Sequence, residues 1–296
     1  MSSTATPSAT LQDCLEQQRE ILTGFIATVD GLIAVVVGHE SAASIREETD
    51  ALPEPSVPVL ALLLQAAGSS AHTLSRLSDL PGLHTRDCYP IARSVIEVAA
   101  NICYIIAEGP GAAERAMRHA RQKSYRDLER ESKIGDSVIK LVFSGQTDPS
   151  SIDALEEDLA EFTARGQREK GWIDGSIDDR IAATAKLGTG VVNALHWARF
   201  AIYRHSSEIL HGTFFSALFF FGQTAPSGHP RSADEFAESL GQHHMLILMS
   251  VILSLSAVVE AFHKSYGFRA AHDRATILMD ALGKISYFRR NGSEPK

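Results

Sequence analysis

The residues best suited to chemistry lie in one segment, residues 191–221, whose C-terminal half is nearly all apolar. Five of the polar side chains in this segment are together called the polar stripe: Tyr203, Arg204, Ser207, Glu208 and His211. If the segment is one helix, Arg204 and His211 lie two turns apart on the same side, and the other three lie between or beside them. Polar groups next to a core need partners, and charged groups need them more. The polar stripe therefore predicts a hydrogen-bonded network or a functional site.

A second polar set occupies an earlier apolar segment, residues 87–108. Arg93, Glu97 and Asn101 follow one another at intervals of four residues, which places them on one side of a helix. The spacing of Arg93 and Glu97 also allows the two side chains to pair along that helix. We expect the two polar sets to face each other across a helical bundle, with Glu97 meeting Arg204 or His211.

Several of these residues form a pattern that resembles a bacterial all-helical family of unknown function. The pattern consists of Trp172-Ile-Asp-Gly-Ser176-Ile177, followed downstream by Tyr203, Ser207, His211 and Gly212. Arg93 with Glu97 matches the R-x-x-x-E expected on an earlier helix of that family. The resemblance extends over residues 57–266 and implies a helical bundle, with no established activity.

The same segment resembles the HEPN ribonuclease motif, in which an arginine is followed after four to six residues by a histidine. Arg204 and His211, with six residues between them, fit this spacing, and His205 stands where HEPN proteins often carry a polar residue. The resemblance implies that Arg204 and His211 act at a dimer interface without a metal ion. Histidine would serve as general acid or base, arginine would stabilise the phosphoryl transition state, and an RNA 2′-hydroxyl would be the nucleophile. Arg199 and His205 also satisfy the spacing but lie well round the helix from each other.

A metal site is an alternative use of the same residues. Glu208-x-x-His211 and Glu260-x-x-His263 each have the spacing found in carboxylate-bridged di-metal helical bundles, with Glu97 as a further ligand. No fourth ligand on a separate helix is evident from the sequence. We therefore expect no metal and no cofactor, and we keep Glu97, Glu208 and His211 as the metal alternative.

Bulk composition indicates a globular protein without a basic excess. The chain has 296 residues, of which 44% are hydrophobic and 22% charged, and its net charge is −8. The one basic cluster comprises Arg115, Arg118, Arg121, Lys123, Arg126 and Arg130. Acidic residues interleave with this cluster, which favours a salt-bridged solvent face over a surface that guides RNA phosphates.

Cysteine usage and hydropathy bear on the compartment. Three cysteines without a C-x-x-C pair argue against a disulfide framework and fit a reducing compartment. The apolar stretches Phe214–Phe221 and Met245–Val259 are shorter than the roughly 18–20 residues that a spanning helix needs. We expect a cytoplasmic protein with no membrane span, which forms a homo-oligomer and has RNA as a candidate partner.

Helical periodicity dominates the chain, and alternating runs of β-branched residues are nearly absent. The predicted fold is all-α, a single up-and-down bundle of roughly six to eight helices. The expected organisation is a disordered tail (1–10), a helical bundle domain (11–286) and a loose tail (287–296). Within the domain, an N-terminal helix (11–52) and a Pro-rich linker (53–58) precede the main bundle (59–286).

Four local predictions concern the main bundle. A long polar helix is expected at residues 112–140, and two large helices are expected at residues 191–221 and 233–266. Between the polar helix and the first of these two, Ser176 is predicted as an N-cap, with acidic residues in the first turn after it.

The sequence favours an uncharacterised helical bundle with an HEPN-like, metal-independent RNA-acting site, either a ribonuclease or an RNA-binding site. Arg204 and His211 are the expected catalytic residues, supported by a polar network of Arg93, Glu97, Tyr203, Ser207 and Glu208. A non-catalytic interaction or scaffold protein, in which the polar core serves only to fix helix register, stays open. Solvent access separates the two, because a catalytic pair must be reachable and an architectural one is sealed.

Overall fold

The computed structural model describes residues 10–38, 52–79, 82–144, 148–164, 169–173, 175–221 and 232–285. The expectations for the two terminal tails, apart from Thr10, lie outside these residues. So does the expected continuation of the N-terminal helix over residues 39–51.

Ten α-helices and one β-hairpin make up the described part of the chain. The helices are α1 (Leu11–Val36), α2 (Ser56–Leu77), α3 (Thr85–Glu108), α4 (Pro110–Asp127), α5 (Leu155–Glu161), α6 (Ile177–Ala183), α7 (Thr189–Leu210), α8 (Phe214–Phe220), α9 (Ala233–Tyr266) and α10 (Arg269–Lys284). The strands are β1 (Glu129–Ile134) and β2 (Ser137–Val142), and two short 3-10 helices span Pro149–Ser151 and Thr184–Leu187.

The predicted number of helices is wrong, and one reason is a break in the expected helix 191–221. The backbone of Gly212 takes a φ of 61°, in the left-handed region that glycine tolerates best. Thr213 then caps a new helix, because its hydroxyl accepts a hydrogen bond from the Ser216 N–H at 3.2 Å. The polar stripe therefore lies at the C-terminal end of α7, with His211 as the C-cap residue.

A β-hairpin takes the place of the end of the predicted helix 112–140. The helix ends at Asp127, and the hairpin after it shows that the all-α prediction was wrong. Strands β1 and β2 pair antiparallel, and the pairing of Ile134 with Ser137 leaves a two-residue loop. Gly135 opens this loop with a φ of 61°, as two-residue hairpin turns require. All but one of the strand residues are exposed, so the hairpin stands off the bundle.

The core is organised around α9, which packs against α1, α3, α7 and α10. Its 34 residues follow the N-cap Ser232, whose hydroxyl accepts a hydrogen bond from the Glu235 N–H, and they precede the C-cap Gly267, whose backbone is in the left-handed region. The bundle is completed by the packing of α1 on α2, of α2 on α3 and of α3 on α7. Ser176 is the N-cap of α6 and forms a capping box with Asp179, which confirms the prediction for this residue.

Three helices contradict the expectation that the chain has no membrane span. By length and composition alone, α2, α3 and α9 are each long and apolar enough to cross a membrane, with 18-residue windows of mean hydropathy 1.3, 1.4 and 2.3. The prediction measured the apolar run from Met245, whereas α9 continues unbroken through His243 and His244. In the fold, 72% of the α9 window is buried. The predicted cytoplasmic location, which rested on this argument together with the cysteine usage, is corrected by the same three helices.

Candidate functional site

The two polar sets meet where α3 packs against α7. The Arg93 Nε donates to a Glu97 carboxylate oxygen at 2.9 Å, one turn along α3, as the spacing predicts. The Arg93 Nη2 donates to the Tyr203 hydroxyl at 2.9 Å, and its guanidinium carbon lies 4.0 Å from the centre of the Tyr203 ring. Glu97 is therefore bonded to Arg93, whereas the sequence predicted a contact with Arg204 or His211.

Tyr203 has a second guanidinium on its ring. The Arg199 guanidinium carbon lies 5.5 Å from the ring centre, and the Arg199 Nη2 lies 2.6 Å from a carboxylate oxygen of Asp178 on α6. A parallel link joins α6 to α3, where Arg180 donates to the side-chain oxygen of Asn101. These contacts link α3, α6 and α7 to one another, so this half of the polar residues is bonded within the fold.

The polar stripe divides between two sides of α7. Tyr203 faces α3, and Glu208 accepts a hydrogen bond from the Thr213 hydroxyl at 2.7 Å, which ties α7 to the start of α8. Arg204 and His211 are exposed, and in the described part of the chain neither side chain forms a hydrogen bond or an ion pair. The structure thus brings Arg204 and His211 onto one solvent-facing surface and separates them from the α3 network.

An exposed aromatic residue that sequence reasoning missed lies on the same surface. Phe200 is 81% exposed, and its spacing to Arg204, Ser207 and His211 follows the i, i+4, i+7, i+11 pattern of one helix face. These four residues are called the outer face of α7. The spacing was visible in the sequence, but a phenylalanine beside an apolar segment is more naturally assigned to the core.

His205 lies on the opposite side of α7, in an aromatic cluster. Its ring stacks on Phe219 of α8, with ring centres 4.0 Å apart and an interplanar angle of 8°. The cluster continues to α3 and α9, where the Tyr89 hydroxyl and the His243 Nδ1 share a hydrogen bond of 2.7 Å. Burial lowers the pKa of His205, and the neighbouring Arg204 lowers it further. His205 is therefore a packed residue held neutral, and it does not share a face with Arg199.

Four of the six residues of the basic cluster, all on α4, pair with carboxylates elsewhere in the chain. Arg118 and Arg121 both bind the fully buried carboxylate of Asp158 on α5, at 2.8 and 2.7 Å. Arg115 pairs with Glu161 at 2.5 Å, and Lys123 with Glu169 at 3.4 Å. The prediction of a salt-bridged face holds for these four residues, and their acidic partners are on α5 and at Glu169.

The residues proposed for the metal alternative are not brought together in the described part of the chain. Within the residues that the structure describes, no group of three or more His, Cys, Asp or Glu side chains lies close enough to hold a metal ion. Glu97 is bonded to Arg93, and Glu208 to Thr213. The set Glu97, Glu208 and His211 is therefore not brought together.

Residues 59–229, more than half of the chain, match the model of a family described as a family of unknown function, DUF5677. The chain belongs to this family. The DUF5677 match runs from α2 to beyond α8 and thus includes both polar sets. No match was found among curated proteins or among solved structures. An uncharacterised helical family was expected from the sequence and is confirmed, whereas the specific Trp–Ser–Ile and Tyr–Ser–His–Gly motifs and the HEPN likeness stay predictions.

Proposed function

We propose that the outer face of α7 acts on RNA and cleaves it without a metal ion. The observation that carries the proposal is that Arg204 and His211, two turns apart, are both exposed on one surface and have no side-chain partner in the described part of the chain. An arginine and a histidine in this state are available to a ligand. Arg93, Glu97, Tyr203 and Glu208, by contrast, are bonded within the fold.

The residue types suit phosphodiester chemistry. Arg204 binds a phosphate through two parallel hydrogen bonds and stabilises the charge that builds up on its oxygens. His211 takes the proton from the RNA 2′-hydroxyl. The 2′-oxygen then bonds to phosphorus, and the 5′-oxygen leaves and takes up a proton, so that one product ends in a 2′,3′-cyclic phosphate. Phe200 offers an exposed ring on which a base of a single strand stacks.

The experiment that tests this proposal uses the full chain with a fluorescently labelled single-stranded RNA and a DNA of the same sequence, both in excess EDTA. We expect cleavage of the RNA into fragments with cyclic phosphate ends, and no cleavage of the DNA, which lacks the 2′-hydroxyl. Arg204→Ala and His211→Ala should each abolish most of the activity. Arg76→Ala, which removes an exposed arginine of α2, is the matched control.

RNA binding without cleavage is the second candidate, and one feature of His211 favours it. A catalytic histidine usually has its second ring nitrogen oriented by a carboxylate or carbonyl, and His211 has no such bond among the described residues. In this case Phe200→Ala and Arg204→Ala weaken RNA binding measured by fluorescence anisotropy. His211→Ala leaves the affinity within about twofold, and no product forms with any variant.

A further inference from the structure

A cavity of about 490 Å³ opens between the N-terminal half of α7, the C-terminal half of α9 and helix α10. This volume falls within the range of small-molecule binding sites. The family match ends at residue 229, so only the α7 wall belongs to the matched region. None of the lining residues belongs to the outer face of α7, and the cavity is independent of the function proposed above.

The middle of the cavity is apolar. Ala194, Ala257 and Ala275, one from each helix, form small-residue walls that leave room for a ligand. Trp197 lines the cavity from α7, and Met279 lines it from α10. Trp197 is 38% exposed to solvent. An indole ring and a thioether suit a ligand whose central part consists of methylene groups.

The ends of the cavity are acidic. Glu260 lines it at one end, and a carboxylate oxygen of Glu260 lies 3.0 Å from the Nε2 of His272. Asp280 lines it further along α10 and forms no hydrogen bond or ion pair within the described ranges. His272 and Asp280 are eight residues apart, which is about 12 Å along the helix axis.

The lysine that pairs with Glu260 lies outside the cavity lining. As far as the structure describes the lining, it contains no lysine and no arginine. Lys264 approaches Glu260 to 3.6 Å but lies outside the lining, and His272 is also 3.8 Å from the carboxylate of Asp273. The cavity therefore has a carboxylate towards each end and an apolar middle, and the Glu260 carboxylate also pairs with Lys264 outside the lining.

We infer that this cavity binds a linear aliphatic polyamine. One terminal ammonium pairs with Glu260 and the other with Asp280, and the methylene chain lies over the alanines and Trp197. An ammonium close to the indole also gains a cation–π interaction. Within the described residues the lining holds no group of three metal-ligating side chains that could hold one ion. The two carboxylates repel an anionic ligand. A monoamine satisfies only one end of the cavity.

The test is calorimetric titration of the full chain with spermidine at 150 mM salt, which screens general attraction to the acidic surface. We expect one saturable site. Glu260→Gln and Asp280→Asn should each weaken spermidine about tenfold, and hexylamine should bind at least tenfold more weakly than spermidine. Glu16→Gln, which removes an exposed carboxylate of α1 outside the cavity, should leave the affinity unchanged.

A second variant tests the cavity without altering its charge. Ala194→Leu fills part of the space and keeps both carboxylates, so it should also weaken spermidine if circular dichroism and melting show an intact fold. The inference is overturned if spermidine gives no saturable binding at millimolar concentration. It is also overturned if the cavity variants bind spermidine as Glu16→Gln does, because binding would then reflect only the net charge of −8.

Discussion

Arg93 and Tyr203 form the closest polar contact between α3 and α7. The guanidinium donates a hydrogen bond of 2.9 Å to the hydroxyl and lies 4.0 Å from the ring centre. Arg199 lies against the same ring from α7 itself. The tyrosine thus has a directional bond and two cation–π contacts, and these set the rotation of α7 about its axis. This rotation places Tyr203 inward and Arg204 outward.

Removal of the Tyr203 hydroxyl tests this contact. Tyr203→Phe should lower the free energy of unfolding by about 1 kcal/mol, because the guanidinium loses an acceptor but keeps the ring and Glu97. Tyr203→Leu should cost about 1 kcal/mol more, since the cation–π contacts are lost as well. Urea denaturation measures both, with Arg76→Ala as the surface control. Equal stability of Tyr203→Phe, Tyr203→Leu and the wild type would rule out a role for this contact in stability.

Two neighbouring histidines of α9 should make stability depend on pH. Burial lowers the pKa of His243 to about 4, and the nearby His205 contributes to this shift. Burial also lowers the pKa of His244 to about 4, with smaller contributions from His84 and Arg19. In the unfolded chain a histidine titrates near about 6.5, so the unfolded state takes up protons first as the pH falls. Stability is therefore full above about pH 6.5 and is lost towards pH 4, by on the order of 1–2 kcal/mol per histidine at pH 5.

Urea denaturation at pH 7.5 and pH 5 measures this loss. His243→Gln should reduce the difference in the free energy of unfolding between the two pH values, because one titrating group is gone. The glutamine side chain carries both a donor and an acceptor for the Tyr89 hydroxyl. His72→Gln removes a histidine that is 59% exposed and should leave the difference unchanged. If His243→Gln and the wild type lose the same free energy at pH 5, burial of His243 is not the cause.

Two glycines of α1 provide a matched pair for helix packing. A methyl group on Gly24 would meet a terminal carbon of Leu278 on α10 at 2.7 Å, whereas one on Gly31 would have no described atom within 4 Å. Alanine in a helix interior is favoured over glycine by about 0.8–1.0 kcal/mol. Gly31→Ala should therefore stabilise the protein by up to about 1 kcal/mol, and the displacement of Leu278 should offset this gain in Gly24→Ala. A Gly24→Ala protein as stable as Gly31→Ala in urea would show that α1 and α10 are not in close contact.

Long periodic elements and local pairs were predictable from the sequence. The helix predicted at residues 233–266 coincides with α9, and the Ser176 cap and the Arg93–Glu97 pair are found as expected. The cap and the ion pair depend on residues only three or four positions apart. The helix has a hydrophobic repeat long enough that a few polar residues do not hide it.

Other features depended on contacts that no local pattern encodes. The break at Gly212 was hidden because the apolar residues after it continue a helical pattern. The hairpin was hidden because the charged strand β1 continues the polar composition of α4, and it buries almost nothing that would mark it as a sheet. The separation of Tyr203 from Arg204 follows from the position of Arg93 on another helix, which only the folded structure supplies.

The rate of RNA cleavage by His211→Ala, relative to His72→Ala, tests the central claim most directly. Both variants lose one exposed histidine, and only His211 lies on the outer face of α7. With both proteins folded and EDTA in excess, we predict that His72→Ala cleaves a single-stranded RNA as the wild type does. His211→Ala should be at least about a hundredfold slower, as for the loss of a general acid or base. Equal rates for the two variants, or no cleavage by the wild type, would contradict the proposed ribonuclease site.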